Sequence, residues 1–250
     1  MSQVPRYSRY AQLYDKTGQA GFARGAWPYV RERLTSLGWQ GRTAVDLACG
    51  TGAAAVAMTE DGLRVVGADL SREMLLWGAP ATVGRAAQGD LRRLPFADAQ
   101  FDVAVSFYDS FNYLLSTDDL RDALAEAARV LRPGGYLVID LITPYCYATL
   151  WRDNVQSMLS ADMGSIWRSD WNPRTQQSRL EVTFFTRGAD GRWDRFDEVH
   201  EERGFAEGEV KAAVRAAGLK VAWWEDRYTR KEPHAETNRI FWWLRKRDER

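Results

Sequence analysis

The segment Val45-Asp46-Leu47-Ala48-Cys49-Gly50-Thr51-Gly52 constrains this chain more than any other. A short apolar run carries an aspartate, meets two closely spaced glycines and gives way to an alanine-rich stretch. That order is a strand, a tight turn and a helix start, the place where an open parallel sheet holds a nucleoside ligand. Gly50 through Ala55 also satisfies G-x-G-x-x-A, a pattern that fits nicotinamide and flavin sites and is weak by itself. Asp46 shifts the balance. A carboxylate aimed at the loop opposes a pyrophosphate and favours a ligand with an ammonium group. A buried carboxylate without a partner is costly. Asp46 is therefore expected either to accept hydrogen bonds from such an ammonium, directly or through water, or to brace the loop and cap the helix.

Two further carboxylates follow in order. Asp69 closes the run Val65-Val66-Gly67-Ala68-Asp69, where an acidic group can accept from both hydroxyls of a ribose. Dinucleotide enzymes share that feature. Gly89-Asp90-Leu91 follows the next strand candidate; Asp90 can accept from an adenine amino group while Leu91 covers the ring. Taken alone, Asp90 reads equally well as a surface loop residue. Leu70 and Met74 are placed to pack near the nucleoside, with Met74 reading best as core. An ammonium, a ribose and an adenine together describe S-adenosyl-L-methionine (SAM).

The 250 residues suit one large domain, or one carrying an inserted subdomain. Strand candidates lie at 44–48, 65–69, 83–88, 103–107 and 136–141, short apolar runs of the kind found in parallel strands covered on both faces. Residues 5–38 read as two helical pieces, the second spanning 22–37 with Gly38 as its stop. Between the fourth and fifth strands, Thr117 is expected to cap a helix with the stripe Leu120, Leu124, Ala127 and Leu131, ended by Pro133-Gly134-Gly135. The pattern changes after Pro144. Segments 178–187 and 192–203 read as an antiparallel hairpin, after which a helix over Val210, Ala213, Val214 and Ala217 leads to two final strands at 219–228 and 237–245. The expected fold is a doubly wound α/β sheet of seven strands, Rossmann-like, with the last strand antiparallel and a small antiparallel β-subdomain inserted. The division is 1–143 for the N-terminal helices and core, 144–205 for the insert and 206–250 for the closing helix and strands.

Lys+Arg 34 balances Asp+Glu 34, which leaves no electrostatic footprint for a nucleic-acid backbone or an anionic membrane. No apolar run approaches the ~20 residues needed to span a bilayer. Cys49 and Cys146 have no metal-ligand spacing, and the polar, aromatic N-terminus lacks a signal-peptide core. A cytoplasmic protein is expected.

Asp46 through Gly52, Asp69, Gly89-Asp90-Leu91 and Leu131-Arg132-Pro133-Gly134-Gly135 together resemble the class I SAM-dependent methyltransferases, over nearly the whole chain. Tyr10 through Asp15, Tyr108 through Leu115, Arg195 through Arg203 and Asn238 through Phe241 are similar to a bacterial small-molecule subgroup with an inserted β-ribbon. Many relatives carry glycine where this chain has Ala48. The resemblance implies a donor site formed by Tyr14, Asp46, Ala48, Gly50, Gly52, Asp69, Leu70, Met74, Asp90, Leu91, Phe107 and Tyr108. It implies no metal, S-adenosyl-L-homocysteine as product and a small-molecule acceptor methylated at nitrogen or oxygen.

Methyl transfer from a sulfonium is an in-line displacement in which positioning supplies much of the rate. Tyr14 and Tyr108 are candidates for lining the donor, since a tyrosine edge or hydroxyl meets the polarised methyl and a ring face meets the cation. A base is needed only if the acceptor arrives protonated. His200 or Glu198 would serve if the insert folds over the sheet's carboxyl edge; otherwise they lie on a solvated strand face. His234 reads as inert. Arg239 reads as a structural salt bridge or a partner for an acidic substrate. Trp167, Trp171, Trp223, Trp224, Trp242 and Trp243 read as packing or as walls of an acceptor pocket, with adjacent pairs on opposite strand faces. Three alternatives stand beside the methyltransferase. A nicotinamide oxidoreductase would place an apolar residue at Asp46. A nucleic-acid amino-methylase would carry Pro-Pro-aromatic where Tyr108-Asp109-Ser110 stands. A non-catalytic SAM-binding sensor or partner subunit would share every motif.

Overall fold

The computed structural model describes residues 6–78 and 85–248. A leading helix α1 (Ala20–Ser36) is followed by β1 (Thr43–Leu47), α2 (Ala53–Glu60), β2 (Arg64–Asp69), α3 (Arg72–Trp77), β3 (Ala86–Gln88), β4 (Phe101–Ser106), α4 (Thr117–Val130) and β5 (Leu131–Ile142). After a short α5 (Pro144–Cys146) and a single π turn (Tyr147–Trp151) come β6 (Asn154–Leu159), β7 (Met163–Asn172), β8 (Gln177–Arg187) and β9 (Trp193–Arg203). Helix α6 (Glu207–Ala216), β10 (Leu219–Asp226) and β11 (Arg239–Lys246) complete the chain order.

Seven strands form one sheet in the order β10-β11-β5-β4-β1-β2-β3. β1 to β5 are mutually parallel, and β11 runs against both β5 and β10. This is the expected doubly wound sheet with its last strand reversed. Alternation along the strands feeds two apolar layers. Val45, Leu47, Leu137, Ile139 and Trp242 pack against α4 and α6 on one face. Ala44, Val103, Val138 and Trp243 pack against α1 and α2 on the other. The adjacent pairs Trp223-Trp224 and Trp242-Trp243 divide between these layers, as strand geometry requires.

Three local expectations change. The first N-terminal piece is not an α-helix but a single 3₁₀ turn (Tyr10–Gln12) followed by turns. Its amides are engaged elsewhere, as described below, and Gly18 at φ +79° breaks the path to α1. Ser116, not Thr117, caps α4: its extended backbone lets Oγ accept from the Asp119 amide at 3.0 Å. Helix α4 ends at Val130, and Leu131 already belongs to β5. The β4–β5 register jumps from Leu131 to Tyr136, so residues 132–135 bulge out of the ladder where Pro133 lacks an N–H and Gly134 has φ +76°. The expected third strand is observed at Ala86–Gln88, and positions 83–84 lie outside the described residues.

The insert is larger than a hairpin. β6-β7-β8-β9 form a four-stranded antiparallel meander. The fully buried Asn112, in a 3₁₀ turn (Ser110–Tyr113), ties its entry and exit to the main sheet. Its Nδ2 donates to the carbonyls of Ile142 (3.0 Å) and Arg203 (2.7 Å), and its Oδ1 accepts from the Ile142 amide (3.0 Å).

Candidate functional site

The glycine turn leaves β1 with three left-handed residues, Ala48 (φ +54°), Gly50 (φ +55°) and Gly52 (φ +86°). For Ala48 this conformation costs about 1 kcal/mol, the reason a glycine is at home there. The turn is tightly seated. A Cβ on Gly67 of β2 would lie 2.7 Å from Cys49 Sγ, and one on Gly50 would lie 3.0 Å from Met74 Cε. Met74 is therefore the floor of the turn, whereas Leu70 is 64% exposed beside it.

Asp46 is buried, and its Oδ2 accepts from the Ala55 amide in the first turn of α2 at 3.1 Å. The capping role is thus present. Among the described residues its Oδ1 accepts no hydrogen bond, so one oxygen remains for a ligand. Burial, opposed by the Ala55 bond and reinforced by Asp69, pushes its carboxyl up to about 7. Asp69 braces the turn as well: Oδ2 accepts from Gly50 N (2.7 Å) and Oδ1 from Ser71 N (2.8 Å). Burial outweighs these bonds and raises its pKa.

A raised carboxylate opposes folding once it ionises. Below about pH 4 both folded and unfolded chains hold the Asp46 proton; between there and about pH 7 only the folded one does, and stability falls as pH rises. Asp46→Asn keeps an oxygen for Ala55 and removes the charge. Thermal unfolding of the free variant is expected to show a gain that grows across this window to on the order of 2 kcal/mol at pH 8.

A second element follows β4. Tyr108 (φ +64°) and Asp109 (φ +55°) are consecutive non-glycine residues in the left-handed region. Asp140 on β5 holds them there, accepting from the Tyr108 amide at 2.7 Å and the Asp109 amide at 3.2 Å. Arg239, at the start of β11, donates to Asp140 and to Asp109 Oδ1, the latter at 2.7 Å. Arg239 is thus a structural salt bridge. Its guanidinium carbon also lies 4.8 Å from the Phe22 ring centre and 5.6 Å from that of Tyr108. The Tyr108 hydroxyl donates to Gln19 Oε1.

The insert supplies the roof. Glu198, His200 and Glu202 alternate along β9 and are all buried, so this is not a solvated face. Glu198 gathers the amides of Tyr7 (2.7 Å), Arg9 (3.0 Å) and Tyr10 (2.9 Å), which pins the N-terminal segment as a strap. The strap's other end is tied to the glycine turn, where the Thr51 hydroxyl donates to Asp15 at 2.8 Å. His200 Nδ1 meets the Tyr113 hydroxyl at 3.0 Å, which meets that of Tyr7 at 2.8 Å. His200 Nε2 is buried without a hydrogen bond, 3.6 Å from Glu198. Glu202 accepts from the Tyr147 hydroxyl at 2.5 Å.

The strap, the Tyr108-Asp109 corner and the insert border a cavity of about 260 Å³, with an adjoining recess of about 70 Å³. Tyr108, Trp151, Trp167 and Leu180 line both. The recess brings together Tyr14, Tyr108 and His200, three residues singled out from sequence. Burial pushes the Tyr14 and Tyr108 hydroxyls well above 10, so they stay protonated near neutrality. Other candidates lie apart. Asp90 is committed to Arg92, which donates to both carboxylate oxygens (2.7 and 3.0 Å) and also bridges to Asp119 (2.7 Å). Leu91 packs on the core, and Phe107 is buried near Phe241. Among the described residues, Trp167 and the unremarked Trp151 are the tryptophans that wall the cavity; Trp171 stacks on Tyr147 at 5.3 Å. Glu202, Tyr7 and Tyr113 were missed. The alternation Glu198-His200-Glu202 was the available signal, since residues two apart on a strand share a face.

Comparison with known proteins agrees with this geometry. Residues 45–139 match the family model described as a methyltransferase domain. The candidate methyltransferase YqeM of Bacillus subtilis is 32% identical over 239 residues, spanning 94% of this chain and 95% of that protein. A SAM-dependent methyltransferase structure from Clostridium acetobutylicum superposes with a TM-score of 0.83 at 24% identity, covering 97% of this chain and all (100%) of the other. The sugar N-methyltransferase KedS8 from Streptoalloteichus superposes at 0.76 with 24% identity, covering 100% and 98%. Fold, glycine turn and carboxylates define a class I methyltransferase, and the chain belongs to the SAM-dependent methyltransferase family.

Proposed function

We propose that the protein transfers a methyl group from SAM to a nitrogen or oxygen atom of a small molecule held under the 144–205 segment, which acts as an acceptor cap. The observation that carries this is the cavity where the N-terminal strap, the Tyr108-Asp109 corner and the inserted sheet meet, with the strap tied to the glycine turn through Asp15 and Thr51. The chemistry of the donor set fits the cofactor. Asp46 offers a free carboxylate oxygen to an ammonium, Asp69 ends β2 with lone pairs beyond its two amide bonds, and Leu70 stands exposed to cover an adenosyl group. Asp90 could reach an adenine only by releasing Arg92.

When bound, SAM supplies a methyl group on a positive sulfur that departs as a neutral thioether. The chain's own residues orient and exclude water. Tyr14 and Tyr108 remain neutral hydroxyls beside the recess, and Tyr7, Tyr10 and Tyr14 of the strap form one of its walls. A sugar N-methyltransferase among the structural neighbours supports a small polar acceptor.

Titration calorimetry is the test. S-adenosyl-L-homocysteine is expected to bind, and Asp69→Ala to weaken it at least ten-fold, about 1.4 kcal/mol, because the glycine turn loses its brace as well as a ligand contact. NADH binding without a response to the thioether would overturn the reading. Good thioether binding with no turnover on any amine, phenol or carboxylate would instead favour a non-catalytic subunit.

A further inference from the structure

The walls of the recess are unbalanced in charge. Asp109 and Glu202 line it, and among the described residues Arg239 is the one Lys or Arg that does. That guanidinium is already shared between Asp109 and Asp140. Glu202 is therefore a buried carboxyl group with no cation of its own, held by the Tyr147 hydroxyl. A charge so placed is costly unless something neutralises it. Around it stand the ring faces and edges of Tyr7, Tyr14, Tyr108, Trp151 and Trp167. Aromatic rings attract cations most strongly when water is excluded. An anionic acceptor meets more carboxyl groups than cations here, and a neutral alcohol gives Glu202 no cation against which to ionise.

Resting on the methyltransferase reading, we propose that the acceptor is an amine that enters as an ammonium ion, is held against Glu202 by the aromatic walls, and gives its proton to that carboxylate before methyl transfer. The groups facing Glu202 come from four elements. Tyr147 and Tyr113 donate or lie ready to donate, Arg239 favours its charged form, and Asp109 opposes it. His200 and Tyr7 complete the ring on the strap side. Burial and Asp109 prevail and push the Glu202 carboxyl up to about 8. The free protein therefore carries a proton on Glu202 at pH 7, and an arriving ammonium expels it.

The transfer balances. The ammonium N–H bond breaks toward Glu202, leaving a nitrogen lone pair. That lone pair forms the N–CH₃ bond as the S–CH₃ electron pair returns to sulfur, giving a neutral thioether and an N-methylammonium product. The proton expelled as the ammonium binds is the one proton the overall reaction releases, and the proton passed to Glu202 restores the state of the free protein.

The test uses whole protein saturated with S-adenosyl-L-homocysteine at pH 7, with benzylamine and benzyl alcohol as probes of equal size. Calorimetry in two buffers of different ionisation enthalpy counts protons. Benzylamine is expected to bind at least ten-fold more tightly than the alcohol and to release about one proton per site. Glu202→Gln is expected to abolish both the preference and the release, with thioether affinity unchanged. Should that variant not fold, the wild-type proton count decides. Equal affinities, no amine binding, or amine binding without proton release, in protein that binds the thioether, would overturn the proposal. Failure to bind the thioether would remove the methyltransferase site itself.

Discussion

Arg239→Met is expected to destabilise the protein by about 3–5 kcal/mol, the cost of leaving a buried ion pair without one partner. Two carboxylates lose their cation at once, Asp109 at 7% exposure and Asp140 at 1%. Asp140 also holds the left-handed Tyr108-Asp109 pair through two amides, so the deficit spreads into the wall of the cavity. Urea unfolding at pH 8 measures it. Adding Asp109→Asn to the arginine variant should return a large part of the loss, because one orphaned charge is then gone. Burial and Asp140 hold the Asp109 carboxyl above its ordinary range. The deficit should accordingly shrink as pH falls and Asp109 takes a proton. A loss below about 1 kcal/mol would mean the carboxylates find water or protons at no cost.

Asn112→Leu is the second large effect, expected at about 3 kcal/mol or more. The side chain is of similar size, so the change isolates hydrogen bonding from cavity formation. Three backbone groups lose their partner: the amide and carbonyl of Ile142 and the carbonyl of Arg203. Each orphaned buried group costs about 1–3 kcal/mol. These groups are the points where the insert leaves β5 and rejoins at the end of β9. Acceptor binding should therefore fall more than cofactor-product binding, which depends on the glycine turn. Equal losses in both would mean that Asn112 supports the fold and does not set the roof. Denaturant melts paired with the two calorimetric affinities separate the cases.

The strands under the glycine turn were readable because their apolar runs are continuous. β1, β2 and β4 begin and end within two residues of the expected spans. β6 was not readable. Its residues are mostly exposed, with Leu159 at 83% and Val155 at 63%, so no face repeats every second position. The N-terminal strap was misread for a related reason. Tyr10, Leu13 and Tyr14 have helical spacing, but Glu198, close to 190 positions away in sequence, takes the amides that an α-helix would have used. Local periodicity carries no record of such a long-range anion. Glu202 was hidden among Glu198, Glu201 and the polar surroundings of β9. Charge composition flagged a solvated patch, while strand alternation would have separated the exposed Glu201 from the buried Glu202.

The placement of β11 bears on how the molecule is made. It lies between β5 and β10 in the sheet, yet it follows every other described strand along the chain. Its first residue, Arg239, reaches the ribosome's exit 99 residues after Asp140 and 130 after Asp109. Until then the growing chain has reason to keep both carboxylates wet, and the cavity wall they build cannot close without trapping bare charge. Arrival of one strand thus completes the sheet and neutralises the wall in a single event. Without β11 the same wall would have to bury two carboxylates that lack their cation.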